Sequence, residues 1–98
     1  MALEVFWSKR ADKRFDSIIT YLETNWGEHT VSLFVKKVYE FLEFVSEFPE
    51  IGSIEKEDLN IRGFAIIKQI TIFYQLRDQR IIILNFYDNR QRPRRKRF

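Results

Sequence analysis

The chain has 98 residues, of which 45% are apolar and ten are Phe, so it suits one domain with its own hydrophobic core and not a disordered polymer. It has no Cys and one His, which excludes a disulfide framework and nearly excludes zinc sites and Cys-His or Ser-His-Asp triads. The net charge of +3 is a local matter: residues 1–89 hold 11 Lys and Arg against 14 Asp and Glu, whereas the last nine residues hold six basic groups and no acid.

The opening stretch "ALEVFW" alternates, with Leu3, Val5 and Trp7 on one side and Ala2, Glu4 and Phe6 on the other, and this predicts a strand. Ser8 offers an N-cap oxygen, and Ala11, Phe15, Ile18, Ile19 and Leu22 then recur at helical spacing, predicting a first helix over about residues 9–25 that stops at Gly27. In the second helix Val31, Phe34, Val35, Val38, Phe41, Leu42 and Val45 form one apolar stripe, ending at Phe48-Pro49 because a residue before proline is pushed out of helical geometry. Two amphipathic helices with a short turn predict an antiparallel hairpin. "EIGSIEKEDLN" reads as an acidic loop, and "IRGFAII", "QITIFYQL" and "RIIILNFY" as three strands rich in β-branched and aromatic residues, the last two joined through "RDQ". The fold class expected is α+β: an N-terminal strand, an antiparallel helical hairpin and then a three-stranded antiparallel sheet with the hairpin on one face. A single domain over residues 1–98 with a basic tail at 90–98 follows, and no stretch nears the roughly 20 apolar residues of a membrane span. A soluble cytoplasmic protein is therefore expected.

His29 lies at the start of the second helix, where a surface role is expected, and the three glycines form neither a phosphate loop nor a dinucleotide fingerprint, so no cofactor and no metal are expected. The remaining chemistry is basic and aromatic. Lys9, Arg10, Lys13 and Arg14 crowd the first turns of helix one, against the helix dipole, with Asp12 and Asp16 spaced to offset them. Arg62, Lys68, Arg90 and Arg92 are expected on or beside the sheet, and an Arg near a Tyr can perform acid-base and phosphate chemistry without a metal. The tail cations Arg90, Arg92, Arg94, Arg95, Lys96 and Arg97 are either solvated charge or a contact for a polyanion or acidic partner. On helix two, Leu33 and Phe44 fall opposite the apolar stripe, among Lys36, Glu40 and Glu47, and together make a candidate docking spot for a partner segment.

With these residues in view, the whole chain resembles the RelE/ParE superfamily of bacterial toxins, the stable halves of type II toxin-antitoxin modules. "VFWSKRADKRFDSIITYL" is similar to that superfamily's opening strand and first helix. "FPEIG" resembles the end of its second helix, and "IRGFAIIKQITIFYQLRDQRIIILNFYDNRQRP" its closing hairpin and basic segment. The resemblance implies a cognate antitoxin and a target, either the ribosome with its messenger RNA, cut without metal in the RelE-like branch, or DNA gyrase, inhibited in the ParE-like branch. RelE-like enzymes carry an arginine in the strand matching "QITIFYQL", where Thr71 stands here, and a terminal tyrosine for which "RPRRKR" has no counterpart; Arg90 does match their arginine after the last strand. The resemblance thus favours the ParE-like branch.

Site expectations follow from that resemblance. In a RelE-like protein the catalytic groups would be Arg90, Lys68 and Tyr87. In a ParE-like one the target would be met by Arg62, Arg90, Arg92, Arg94, Arg95, Lys96 and Arg97. Leu33 and Phe44 would take apolar side chains of an antitoxin segment whose acidic residues neutralise the basic end. A non-toxic nucleic-acid-binding module is the reading of a different class. No small-molecule substrate and no membrane partner are expected.

Overall fold

The computed structural model describes residues 2–89 and 98. The elements run β1 (Glu4–Trp7), α1 (Lys9–Trp26), α2 (Glu28–Glu47), β2 (Ser53–Lys56), β3 (Ile61–Ile67), β4 (Ile70–Arg77) and β5 (Arg80–Asp88). The strands form one sheet in the order β1-β5-β4-β3-β2. The three C-terminal strands are antiparallel as expected, but the sheet is larger and mixed. β1 lies parallel to β5, with Val5 opposite Ile81 and Trp7 opposite Ile83, and β2 adds a fifth strand from within the stretch read as an acidic loop.

Local chemistry accounts for the helix ends. Ser8 sits in extended backbone and its Oγ accepts a hydrogen bond from the Ala11 amide at 3.0 Å, satisfying one of the amides a helix leaves unpaired at its start. Gly27 ends α1 at φ +91° and ψ 175°, a backbone region open in practice to glycine alone, and its amide donates to the Leu22 and Glu23 carbonyls. The turn is so tight that Gly27 also begins α2.

The hairpin covers one face of the sheet. From α1 come Ala11, Ile18 and Leu22, from α2 Phe34, Val38, Phe41 and Val45, and from the sheet Ile66, Ile70, Ile72, Tyr74, Ile81, Ile83 and Phe86, all buried in one cluster. Leu3, Val5 and Trp7 pack against it, the side that the alternation of the first strand selects. Four rings concentrate near the start of the hairpin: Phe15 is 5.3 Å from Trp7 and 5.7 Å from Phe86, and Phe34 is 6.2 Å from Phe86. Each such pair adds about 0.5–1.5 kcal/mol to the area it buries.

The hairpin between β4 and β5 closes through Asp78 and Gln79, at φ 52° and 63°, the two left-handed residues of a type I′ turn. A β-bulge interrupts the same pair of strands: Phe73 faces Asn85 and Tyr74 faces Ile83, so Leu84 is an extra residue.

The loop after α2 is pinned to the sheet. Tyr74, fully buried, donates its hydroxyl proton to the Pro49 carbonyl and accepts from the Gly52 amide, both at 2.8 Å. Arg62 Nη1 donates to the Glu50 and Gly52 carbonyls at 3.1 and 2.7 Å. A Cβ on Gly52 would stand 2.8 Å from the Gly63 carbonyl oxygen and from the Tyr74 hydroxyl, so only glycine fits this crossing.

Candidate functional site

The face of the sheet away from the helices is open, and the bulge decides what it carries. Along β5, Ile81 and Ile83 point to the helices; strict alternation would send Asn85 and Tyr87 the same way. The extra residue, Leu84, reverses the phase. Phe86 enters the aromatic cluster while Asn85 and Tyr87 join Thr71 and Phe73 on the open face.

A bulge leaves backbone groups without ladder partners, and here side chains supply them. Ser8 Oγ donates to the Leu84 carbonyl at 2.9 Å, the Phe86 amide donates to Asn85 Oδ1 at 2.9 Å, and Arg14 Nε donates to the Phe86 carbonyl at 3.3 Å. β1 pairs with residues 80–83 only, so the first turns of α1 cover the edge of β5 beyond it.

At the end of the strands, Thr71 pairs with Tyr87, and the Thr71 hydroxyl donates to Asn89 Oδ1 at 2.9 Å. The Asn89 amide donates to the Gln69 carbonyl at 2.7 Å and its Nδ2 to the Lys68 carbonyl at 3.2 Å. Asn89 thus fastens the end of β5 to the β3–β4 turn. Phe73 is fully buried although it faces away from the helices, because Tyr87 lies 6.1 Å from it and Phe98 packs edge-on at 4.8 Å. A Cβ on Gly63 would lie 3.0 Å from the Phe73 ring, so glycine there leaves room for it. Arg10 Nη1 donates to the Phe98 carbonyl at 2.7 Å.

The predicted residues divide. Lys68 is exposed in the β3–β4 turn, and Tyr87, 8% exposed, lies on the open face at the same end of the sheet. Arg62 points to the loop after α2, and two of its hydrogen bonds go to that loop's carbonyls. Arg90, Arg92, Arg94, Arg95, Lys96 and Arg97 lie outside the described residues. Leu33 and Phe44 are exposed on α2, on one side of the helix but 11 residues apart, which is about 16 Å. His29 is exposed in the first turn of α2. No ion pair joins Asp12 or Asp16 to the neighbouring cations among the described residues, so the offset expected in α1 is not made by contact. Among the described residues no cluster of three His, Cys, Asp or Glu could hold a metal, and no helix is long and apolar enough to cross a membrane.

Asn85, Asn89 and Phe73 were absent from the sequence-based site. Asn85 did carry a signal, since Asn interrupting a β-branched and aromatic strand is a poor strand former and marks a departure from the regular ladder.

A family model described as the ParE toxin of type II toxin-antitoxin system, parDE, matches residues 5–93. The chain belongs to the ParE toxin family. It is the toxin of a type II toxin-antitoxin module, within the RelE/ParE superfamily that the sequence resembled. Solved structures show the same fold. A chromosomal ParDE system from P. aeruginosa aligns with a TM-score of 0.73 at 13% identity, covering 89% of this chain and 96% of the other. The YoeB dimer from Staphylococcus aureus aligns with a TM-score of 0.60 at 19% identity over 87% and 94% of the two chains. A YoeB-YefM complex from the same organism gives 0.58 at 20% identity over 88% and 95%. No curated protein matches the chain.

Proposed function

We infer that this ParE-family toxin arrests growth in the bacterial cytoplasm by acting on DNA gyrase, and that a cognate antitoxin neutralises it. The observation that carries this reading is the makeup of the open face. At the end of the face where Thr71 pairs with Tyr87 and Phe73 with Asn85, the strand positions hold no cation; the arginines of this face, Arg77 and Arg80, lie at its other end beside the β4–β5 turn, and Thr71, where RelE-like enzymes carry an arginine, spends its hydroxyl on Asn89. Cleaving RNA without a metal needs donors or cations aimed at the charge that develops on the phosphate. Strands that present no cation at this end suit a protein that binds its target and does not cut it.

The target-binding groups in this reading are Arg90, Arg92, Arg94, Arg95, Lys96 and Arg97, which follow directly on the anchored Asn89, together with the exposed Lys9 and Lys13 of α1. Arg62 contributes indirectly, by holding the loop after α2.

Supercoiling of relaxed plasmid by gyrase, with the purified chain titrated in, tests the proposal. The full chain is expected to inhibit. A variant with Arg94→Gln, Arg95→Gln, Lys96→Gln and Arg97→Gln keeps Phe98 on Phe73 and is expected to inhibit at least about tenfold less well, since several charge contacts are lost together. Equal inhibition by the variant removes the tail from the mechanism. No inhibition by the full chain refutes the gyrase reading and moves attention to ribosome-bound messenger RNA, where Arg90, Lys68 and Tyr87 would be the groups to substitute.

A further inference from the structure

The end of α2 and the loop after it form a groove of about 430 Å3, lined by Phe44, Glu47, Phe48, Pro49, Glu50 and Ile51. Its apolar part is exposed: Phe44 and Phe48 are 50% and 56% accessible with rings 4.9 Å apart, and Ile51 lies beside them. These aromatics face water although the core of the hairpin is complete without them, so nothing about folding requires them there.

Two features distinguish the groove from a chance apolar spot. It is held rigid from beneath, because Tyr74 and Arg62 fix the carbonyls of Pro49, Glu50 and Gly52 and the amide of Gly52. It is also anionic: two of its six lining residues are the carboxylates Glu47 and Glu50, none is a cation, and neither Glu47 nor Glu50 is in an ion pair among the described residues. Further along the same side of α2 the charge inverts, with Lys36 and Lys37 next to Leu33.

We propose that this groove docks a cationic segment of the antitoxin, in which a large apolar side chain enters between Phe44, Phe48 and Ile51 and flanking Lys or Arg residues meet Glu47 and Glu50. This rests on the reading that an antitoxin partners the toxin, and it changes the chemistry first expected at Phe44. An acidic segment suits the basic end of the toxin; against the groove, carboxylates would oppose carboxylates. The chain's own Phe98 is already engaged elsewhere, with Phe73 and Arg10. The charge inversion along α2 also gives direction: the partner's basic residues sit at the groove and its acidic ones toward Lys36 and Lys37.

The experiment uses two labelled synthetic peptides, one alternating Lys or Arg with Leu and Trp, the other identical but with Glu at each cationic position. Binding to the purified chain is followed by fluorescence anisotropy and by amide chemical shifts. The cationic peptide is expected to bind, to shift amides within residues 44–51, and to lose roughly tenfold in affinity in Glu47→Lys with Glu50→Lys and again in Phe44→Ser, all at exposed positions that leave the core intact. Equal or tighter binding of the Glu peptide, shifts centred away from the groove, or unchanged affinity in the charge-reversed variant would overturn the proposal. Dimerisation of the chain abolished by Glu47→Lys would overturn it too, by assigning the groove to a second copy. Growth arrest on expressing the chain alone is a separate readout: its failure counts against the toxin's proposed action, while failure of peptide binding counts against the groove alone.

Discussion

Replacing Tyr74 with Phe removes one oxygen and leaves the ring, which packs edge-on to Phe41 at 5.6 Å, where it was. The apolar burial is unchanged, so the effect isolates two hydrogen bonds. The Gly52 amide, buried, loses its acceptor, and the Pro49 carbonyl loses its donor. A buried polar group left without a partner costs about 1–3 kcal/mol, and the carbonyl is the cheaper of the two because water reaches it from the loop surface, so a loss of about 2–4 kcal/mol is expected. Against the 5–15 kcal/mol that holds a typical domain folded, this is a large fraction. At roughly 4–8 °C per kcal/mol for a chain of this size, the thermal midpoint should fall by about 8–30 °C in circular dichroism melts. Hydrogen exchange at the Gly52 amide should accelerate more than at Ile72 or Ile83 in the core, because the loop opens before the sheet does. A midpoint within about 3 °C of the parent, with Gly52 still protected, would show that the phenol does not hold the loop and would weaken the case for a preformed groove above it.

The same phenol makes stability sensitive to alkali. Desolvation by burial raises the Tyr74 pKa, outweighing the lowering effects of the Gly52 amide bond and the Arg62 charge. A group with a raised folded pKa stabilises the fold fully below its unfolded value near 10 and loses that contribution as pH rises toward the folded value, so urea unfolding should show stability declining above about pH 10 in the parent and declining less in Tyr74→Phe. Equal slopes would reject the assignment. In the β4–β5 turn, Gln79 holds φ 63° without the freedom of glycine; Gln79→Gly should raise stability by about 0.5–1 kcal/mol in the same assay, and a loss would mean that the side chain has a role the turn geometry does not reveal.

The elements that bury one face were legible because periodicity reports burial: the α2 stripe, the Ser8 cap, the Gly27 stop and the three C-terminal strands all lie where the pattern puts them. β2 was illegible for the complementary reason. It is a four-residue edge strand, mostly exposed and paired on one side, so no face of it demands apolar residues, and "SIEK" reads as loop. The parallel placement of β1 beside β5 is set by a partner nearly 80 residues away, which no local window contains. The site was the least readable part. A single extra residue at Leu84 exchanges the two faces of β5, and a run of Ile leading into Asn and two aromatics does not state on which face they emerge.

That bulge also separates two kinds of basic residue that the sequence grouped together. Lys9, Arg10, Lys13 and Arg14 looked alike as a cationic start to α1, yet Arg14 completes the hydrogen bonding of the bulge through the Phe86 carbonyl, whereas Lys9 and Lys13 are exposed and sit where the helix dipole disfavours them. Their substitutions should therefore part in sign. Arg14→Gln removes a partly buried charge-assisted bond and should lower stability by about 1–2 kcal/mol, disturbing Asn85 and Tyr87 with it. Lys9→Gln with Lys13→Gln relieves the dipole and should leave stability unchanged or higher by a few tenths of a kcal/mol, while weakening any contact with a polyanionic target. Thermal melts and gyrase inhibition measured on both variants resolve the two effects. If Arg14→Gln melted like the parent and lost inhibition, Arg14 would be a target contact, and the bulge would be held by Ser8 and Asn85 alone.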